Sequence, residues 1–173
     1  MLSYTEVNGD LIKLAKEGKF DVIAHGCNCR SVMKSGIAVS MAKTFGCDKF
    51  PMELQGPSIQ KLANIEFKCY VVGSNGAIWA IEDGSNQLNE PELYVVNAYT
   101  QNMYGRNHPG GKHAPIDYEA VRICMRKMNV IFKGMKIGLP KIGAGLAGGE
   151  WHIIRNIIKT ELTDCHITIV IYK

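Results

Sequence analysis

Short apolar runs alternate along the chain with segments whose apolar residues recur at helical spacing. Seven runs read as strands: Ser3 to Val7, Phe20 to His25, Glu66 to Val72, Ala77 to Ile81, Glu92 to Asn97, Met135 to Pro140 and His166 to Ile171. The third and fourth flank Gly73-Ser74-Asn75-Gly76, and Asn-Gly supplies the positive φ angles of a tight hairpin turn. Between the strands lie amphipathic stretches. Leu11, Ile12, Leu14 and Ala15 share one helical face, closed by Gly18. Gly36 to Phe45 repeats the pattern and stops at Gly46, and a short helical segment is predicted around Ile59 to Ala63. Tyr118 to Ile131 forms a longer helix with Asp117 as N-cap, and Glu150 to Leu162 another. Strands interspersed with helices predict an α/β protein, a three-layer α/β/α sandwich with a mixed central sheet. The hairpin supplies its antiparallel part. Tyr99 to Ile116, rich in glycine and proline, fits neither pattern and is predicted to be a long loop, either a lid or substrate-facing flap or a plain surface excursion.

Composition adds limits. A chain of 173 residues suits a single domain spanning 1–173, with length enough to bury a core. With 46% hydrophobic and 21% charged residues it has the mix of a soluble globular protein. No apolar run reaches the roughly 20 residues of a membrane span, and Met1-Leu2-Ser3-Tyr4-Thr5-Glu6 lacks a secretory layout. The expectation is a cytoplasmic protein with no membrane partner. Six scattered cysteines, several inside apolar runs, suit buried free thiols. The net charge of +4 comes from dispersed lysines, which argues against a nucleic-acid groove while favouring an anionic small molecule.

Two loops carry the candidate chemistry. The first is Leu139-Pro140-Lys141-Ile142-Gly143-Ala144-Gly145-Leu146-Ala147-Gly148-Gly149-Glu150-Trp151, a strand that turns through glycine into a helix. Backbone amides approach a ligand closely there, and the uncapped N–H groups of the helix favour phosphate. The letters match a dinucleotide fingerprint, but the motif lies late in the chain and His166 to Ile171 ends without the acidic partner. The second is His25-Gly26-Cys27-Asn28-Cys29-Arg30, leading through Ser35 into Gly36-Ile37-Ala38. It is again strand, glycine loop and helix start, so two such loops on neighbouring parallel strands grip a ligand from both sides. His25, Cys27 and Cys29 alternate and share one face of an extended chain, but no second pair completes a zinc set. Asn28 either orders its own turn or binds ligand, and Asp10 either caps the first helix or faces the ligand. No metal or cofactor is called for.

Together these motifs resemble the macro domain family, the ADP-ribose-binding fold. The likeness rests on Gly9-Asp10-Leu11, Asp21-Val22-Ile23-Ala24-His25-Gly26-Cys27-Asn28-Cys29, Ser35-Gly36-Ile37-Ala38 and Pro140 to Leu146. The His-Gly-Cys-Asn-Cys run is most similar to the branch of ADP-ribose-1″-phosphate phosphatases. The resemblance implies that Asp10, beside Leu11, accepts from the adenine amino group, and that Asn28 contacts the distal ribose. It implies that the amides of Gly36, Ile37 and Ala38, next to Ser35, meet one phosphate. Those of Ile142, Gly143, Ala144, Gly145 and Leu146 would cradle the rest of the pyrophosphate, with Tyr172 bordering the adenine. It further implies His25 as nucleophile or acid–base in removing the 1″-phosphate to give ADP-ribose, where the residues alone equally allow a hydrogen-bonded core histidine. Asp117, at the end of the long loop, is the candidate acidic partner. The alternatives are an ADP-ribosyl hydrolase acting on modified protein or nucleic acid, and a non-catalytic ADP-ribose reader. Two positions depart from the family pattern. The glycine run ahead of Ile37-Ala38 is shortened to Met33-Lys34-Ser35-Gly36, and Ala147 stands where the hydrolase branch carries an acid.

Overall fold

The computed structural model describes residues 2–30, 32–33, 36–50, 58–81, 90–102, 116–145 and 147–172. Seven strands form one sheet: β1 (Ser3–Asn8), β2 (Val22–Asn28), β3 (Ile65–Val72), β4 (Ile78–Ala80), β5 (Glu92–Gln101), β6 (Lys136–Leu139) and β7 (His166–Ile171). Their order across the sheet is β1-β7-β6-β2-β5-β3-β4. The first five are mutually parallel, and β3 pairs antiparallel with both β5 and β4. Four helices pack on the sheet: α1 (Leu11–Lys16), α2 (Ile37–Phe45), α3 (Tyr118–Ile131) and α4 (Trp151–Glu161).

Alternation along the central strands divides the core in two. Val22 and Ala24 of β2, with Val96 and Ala98 of β5, pack among the buried residues of α3 and α4. Ile23 and Val95 point the other way, to Leu11, Ala15, Met41 and Phe45 of α1 and α2. The result is the α/β/α sandwich with a mixed sheet that the hydrophobic pattern predicts. A glycine in β6 allows the layers to close: a Cβ on Gly138 would lie 2.7 Å from the Phe20 ring and 2.9 Å from Leu11 Cδ1.

The largest departures from the sequence reading lie at the ends of β2 and β5 and at the segment around Ile59. β2 continues past His25 to Asn28, and β5 past Asn97 to Gln101, because the two strands pair in parallel along this stretch. The extensions end on polar residues, Asn28 paired with Gln101, which break the apolar pattern. The segment around Ile59 is a single 3-10 turn at Ile59–Lys61. The predicted flap lies mostly in 103–115, outside the described residues. The chain returns at Ile116, which bridges Gln101, and Asp117 N donates to Thr100 O at 2.9 Å. Among the described residues no helix is long and apolar enough to cross a membrane.

Candidate functional site: a cleft at the carboxyl ends of the parallel strands

After β2 the chain enters α2 on one face of the sheet, and after β6 it runs to α4 on the other. These neighbouring parallel strands therefore send their connections apart, which opens a crevice beyond their carboxyl ends. A cleft of about 890 Å³ occupies this end of the molecule. Its walls are the start of α1 at Asp10, the start of α2 at Gly36 and Ile37, and the Pro140–Lys141 and Ala144–Gly145 stretches after β6. The end of β7, Val170 to Tyr172, completes it.

The structure gathers Asp10, Leu11, Gly36, Ile37, Ala144 and Gly145 in this one cleft, with the exposed Tyr172 at its edge. Asp10 is also the N-cap of α1, accepting from Lys13 N at 3.1 Å, so both of its proposed roles are open to one carboxylate. Gly36 caps α2 at φ 60°, ψ −148°, a backbone conformation that suits glycine, which brings no side-chain cap of its own. Ala38 follows in the first turn but does not line the cleft. Ser35 and Leu146 lie outside the described residues. The glycine loop is narrower as an amide cradle than the sequence implies. Ile142 N donates to Pro140 O at 2.7 Å and Ala144 N to Lys141 O at 3.2 Å, whereas Gly143 N and Gly145 N have no described backbone acceptor. Asn28 orders its own turn: Nδ2 donates to Val32 O at 2.7 Å, and Oδ1 accepts from Arg30 N and Val32 N.

His25 lies in mid-strand at 0% exposure, and its ring is not part of the cleft wall. Asn97 Nδ2 donates to Cys47 O and to Glu66 Oε1, which turns Asn97 Oδ1 toward the imidazole. His25 Nε2–H donates to that oxygen at 2.7 Å, leaving Nδ1 bare and without a partner. Cys27 Sγ and Cys47 Sγ stand 3.5 and 3.6 Å from Nε2. Burial lowers the imidazole pKa to about 4 and pushes the Cys27 thiol well up. Tyr99 Oη donates to Glu66 Oε1 and extends the same network. The imidazole and the Cys27 thiol are therefore neutral, and the network pins β2, β3, β5 and the turn at Cys47 together. Asp117 caps α3, accepting from Ala120 N at 2.9 Å, and is likewise outside the cleft wall. Among the described residues no group of three or more His, Cys, Asp or Glu is placed to hold a metal ion.

Enterobacteria phage T4 has a similar protein, an uncharacterized 17.5 kDa protein in the tk-vs intergenic region. The two are 31% identical over 168 residues, covering 95% of this chain and 93% of the phage protein. No family model matches the sequence. Solved structures supply the fold. The macrodomain of Thermus aquaticus DarG superposes with a TM-score of 0.59 at 17% identity, covering 98% of this chain and 97% of that one. Thermosipho africanus DarTG in complex with ADP-ribose gives 0.66 at 18% identity, over 99% of this chain and 42% of that one. A Trypanosoma brucei macrodomain in complex with ADP gives 0.59 at 13% identity, over 99% of this chain and 64% of that one. The chain belongs to the family of the phage protein and has the macrodomain fold.

Within this macrodomain fold several cleft residues had escaped the sequence reading. Lys13 and Lys16 of α1, Ser40 and Thr44 of α2, and Lys141 all line the cleft. Their signal was present but weak: positions 37, 40 and 44 fall on one helical face, as do 13 and 16. Three lysines against a single aspartate make the wall electropositive, as an anionic ligand requires. The loop glycines also divide by role. A Cβ on Gly143 would sit 2.5 Å from Ile116 Cδ1, and one on Gly149 would sit 2.6 Å from Gly143 O. Those two are demanded by packing. Gly145 has open space around it and lines the cleft.

Proposed function

We propose that this macrodomain binds ADP-ribose or its 1″-phosphate in the cleft and releases the 1″-phosphate. One observation carries the binding part: Asp10, the start of α2 at Gly36–Ile37, and Ala144–Gly145 of the glycine loop line a single cleft. A carboxylate acceptor suits the exocyclic amine of adenine. The opposed helix start and glycine loop suit the two phosphates of a pyrophosphate. That the Thermosipho protein of the same fold was solved with ADP-ribose supports this choice of ligand.

The hydrolytic part rests on the His25 to Cys29 run. In the reaction, water adds to the phosphorus and the bond from phosphorus to the anomeric oxygen breaks. That oxygen leaves as the C1″ hydroxyl, giving ADP-ribose and inorganic phosphate. Amides at the glycine loop and the α2 start stabilise the charge on the transferred group. His25, enclosed and neutral, serves as a positioning residue for the end of β2, and Asp117 anchors the chain where it returns to α3.

A second reading, an ADP-ribose reader without turnover, is favoured by the complete burial of His25 and the capping role of Asp117. An ADP-ribosyl hydrolase is disfavoured by Ala147, buried where that branch carries an acid. Incubating the purified protein with ADP-ribose-1″-phosphate, without added metal, separates these. Phosphate release is expected. Binding of ADP-ribose without release would leave the reader, and absence of binding would overturn both.

A further inference from the structure

The cleft is longer than the seat described for the pyrophosphate. From Asp10 it continues along α1 and α2, where Lys13 and Lys16 of the first and Ser40 and Thr44 of the second line the wall. At 1.5 Å per residue, Lys16 lies roughly 8 Å along α1 from its first residue, and Thr44 roughly 10 Å along α2 from Ile37. The groove therefore runs well past the starts of both helices. Its two lysines are one turn apart on the same helical face, so an anion bound there would meet both. Neither makes an ion pair among the described residues, and the only acid in the cleft wall, Asp10, is spent on capping and on the adenine side. Two hydroxyls and two ammonium groups lining one groove form a donor set that suits a phosphate monoester.

Resting on the binding reading above, we propose that this groove is a second anion subsite that takes a phosphate ester on the adenosine ribose. The preferred ligand is then an ADP-ribose carrying an additional phosphate at the adenosine end, distinct from the 1″-phosphate at the other end. Lys13 and Lys16 would be its specificity determinants, while the pyrophosphate seat is shared with plain ADP-ribose.

Calorimetric titration with ADP-ribose, ADP-ribose 2′-phosphate and ADP-ribose 3′-phosphate tests this. The wild-type protein is expected to bind one of the phosphorylated forms at least tenfold more tightly than ADP-ribose. The Lys13→Gln/Lys16→Gln variant should bring that ratio close to one. Equal affinities for all three ligands in the wild type, or a ratio that survives the double substitution, would overturn the proposal while leaving ADP-ribose binding intact. No heat with any of the three would overturn the binding reading as well.

Discussion

Asp10 carries two duties that substitution can separate. Its carboxylate caps α1 through Lys13 N, and in the proposed complex it accepts from adenine. Replacing it with alanine removes both: about 1 kcal/mol of stability for the cap, and about 1–3 kcal/mol of ADP-ribose affinity for an unpaired buried donor. Asp10→Ser restores the cap alone. Thermal unfolding should therefore recover in the serine variant while calorimetric affinity stays low; recovery of affinity with the cap would take Asp10 out of the ligand site. His25 makes a different kind of statement. Its folded pKa of about 4 lies below the ordinary value of 6.5. Above that ordinary value the ring is neutral in both states and costs nothing. As pH falls from 6.5 toward 4 the unfolded chain takes up a proton that the folded chain refuses, so stability is lost, in full by about 3 kcal/mol. Urea unfolding at neutral and at mildly acidic pH should show a steeper loss for the wild type than for His25→Gln. Parallel slopes would mean that the ring is not held neutral.

At the scale of elements, the glycine loop separates packing from binding. Gly143→Ala places a methyl group against Ile116 at a positive φ of 72°, and should cost about 1–3 kcal/mol of folding stability. Gly145→Ala meets no neighbour, so its stability should stay within about 0.5 kcal/mol. Its ADP-ribose affinity should nevertheless fall severalfold, because the methyl group enters the cleft. Equal stability losses in the two variants would show that the loop's glycines serve packing alone. The elements themselves were largely legible in the sequence. Helix α3 was framed correctly by Asp117 and its periodic apolar residues, and the β3–β4 hairpin by Asn75-Gly76. What escaped was the length of β2 and β5. Their last residues, among them the paired Asn28 and Gln101, are held by ladder pairing and local hydrogen bonds rather than by an apolar pattern. With β2 continuing to Asn28, His25 stands in mid-strand and in the core rather than at a strand end.

For the whole molecule, the layered architecture follows from alternating strands and helices, and topology opens a crevice at the carboxyl ends of its parallel strands. The site was half legible. Backbone-borne features, the α2 start and the glycine loop, were visible as glycine next to a helix signal. Side-chain features such as Lys13, Lys16, Ser40 and Thr44 were not, because only folding brings two helices that are far apart in sequence to line one groove. The central claim is that this assembled cleft is an ADP-ribose site. The most direct test is a map of amide chemical-shift changes as ADP-ribose is added to isotopically labelled protein. The account predicts saturable shifts centred on Asp10–Ile12, Gly36–Ile37 and Ala144–Gly145. No shifts, or shifts confined to residues away from these three segments, would contradict it.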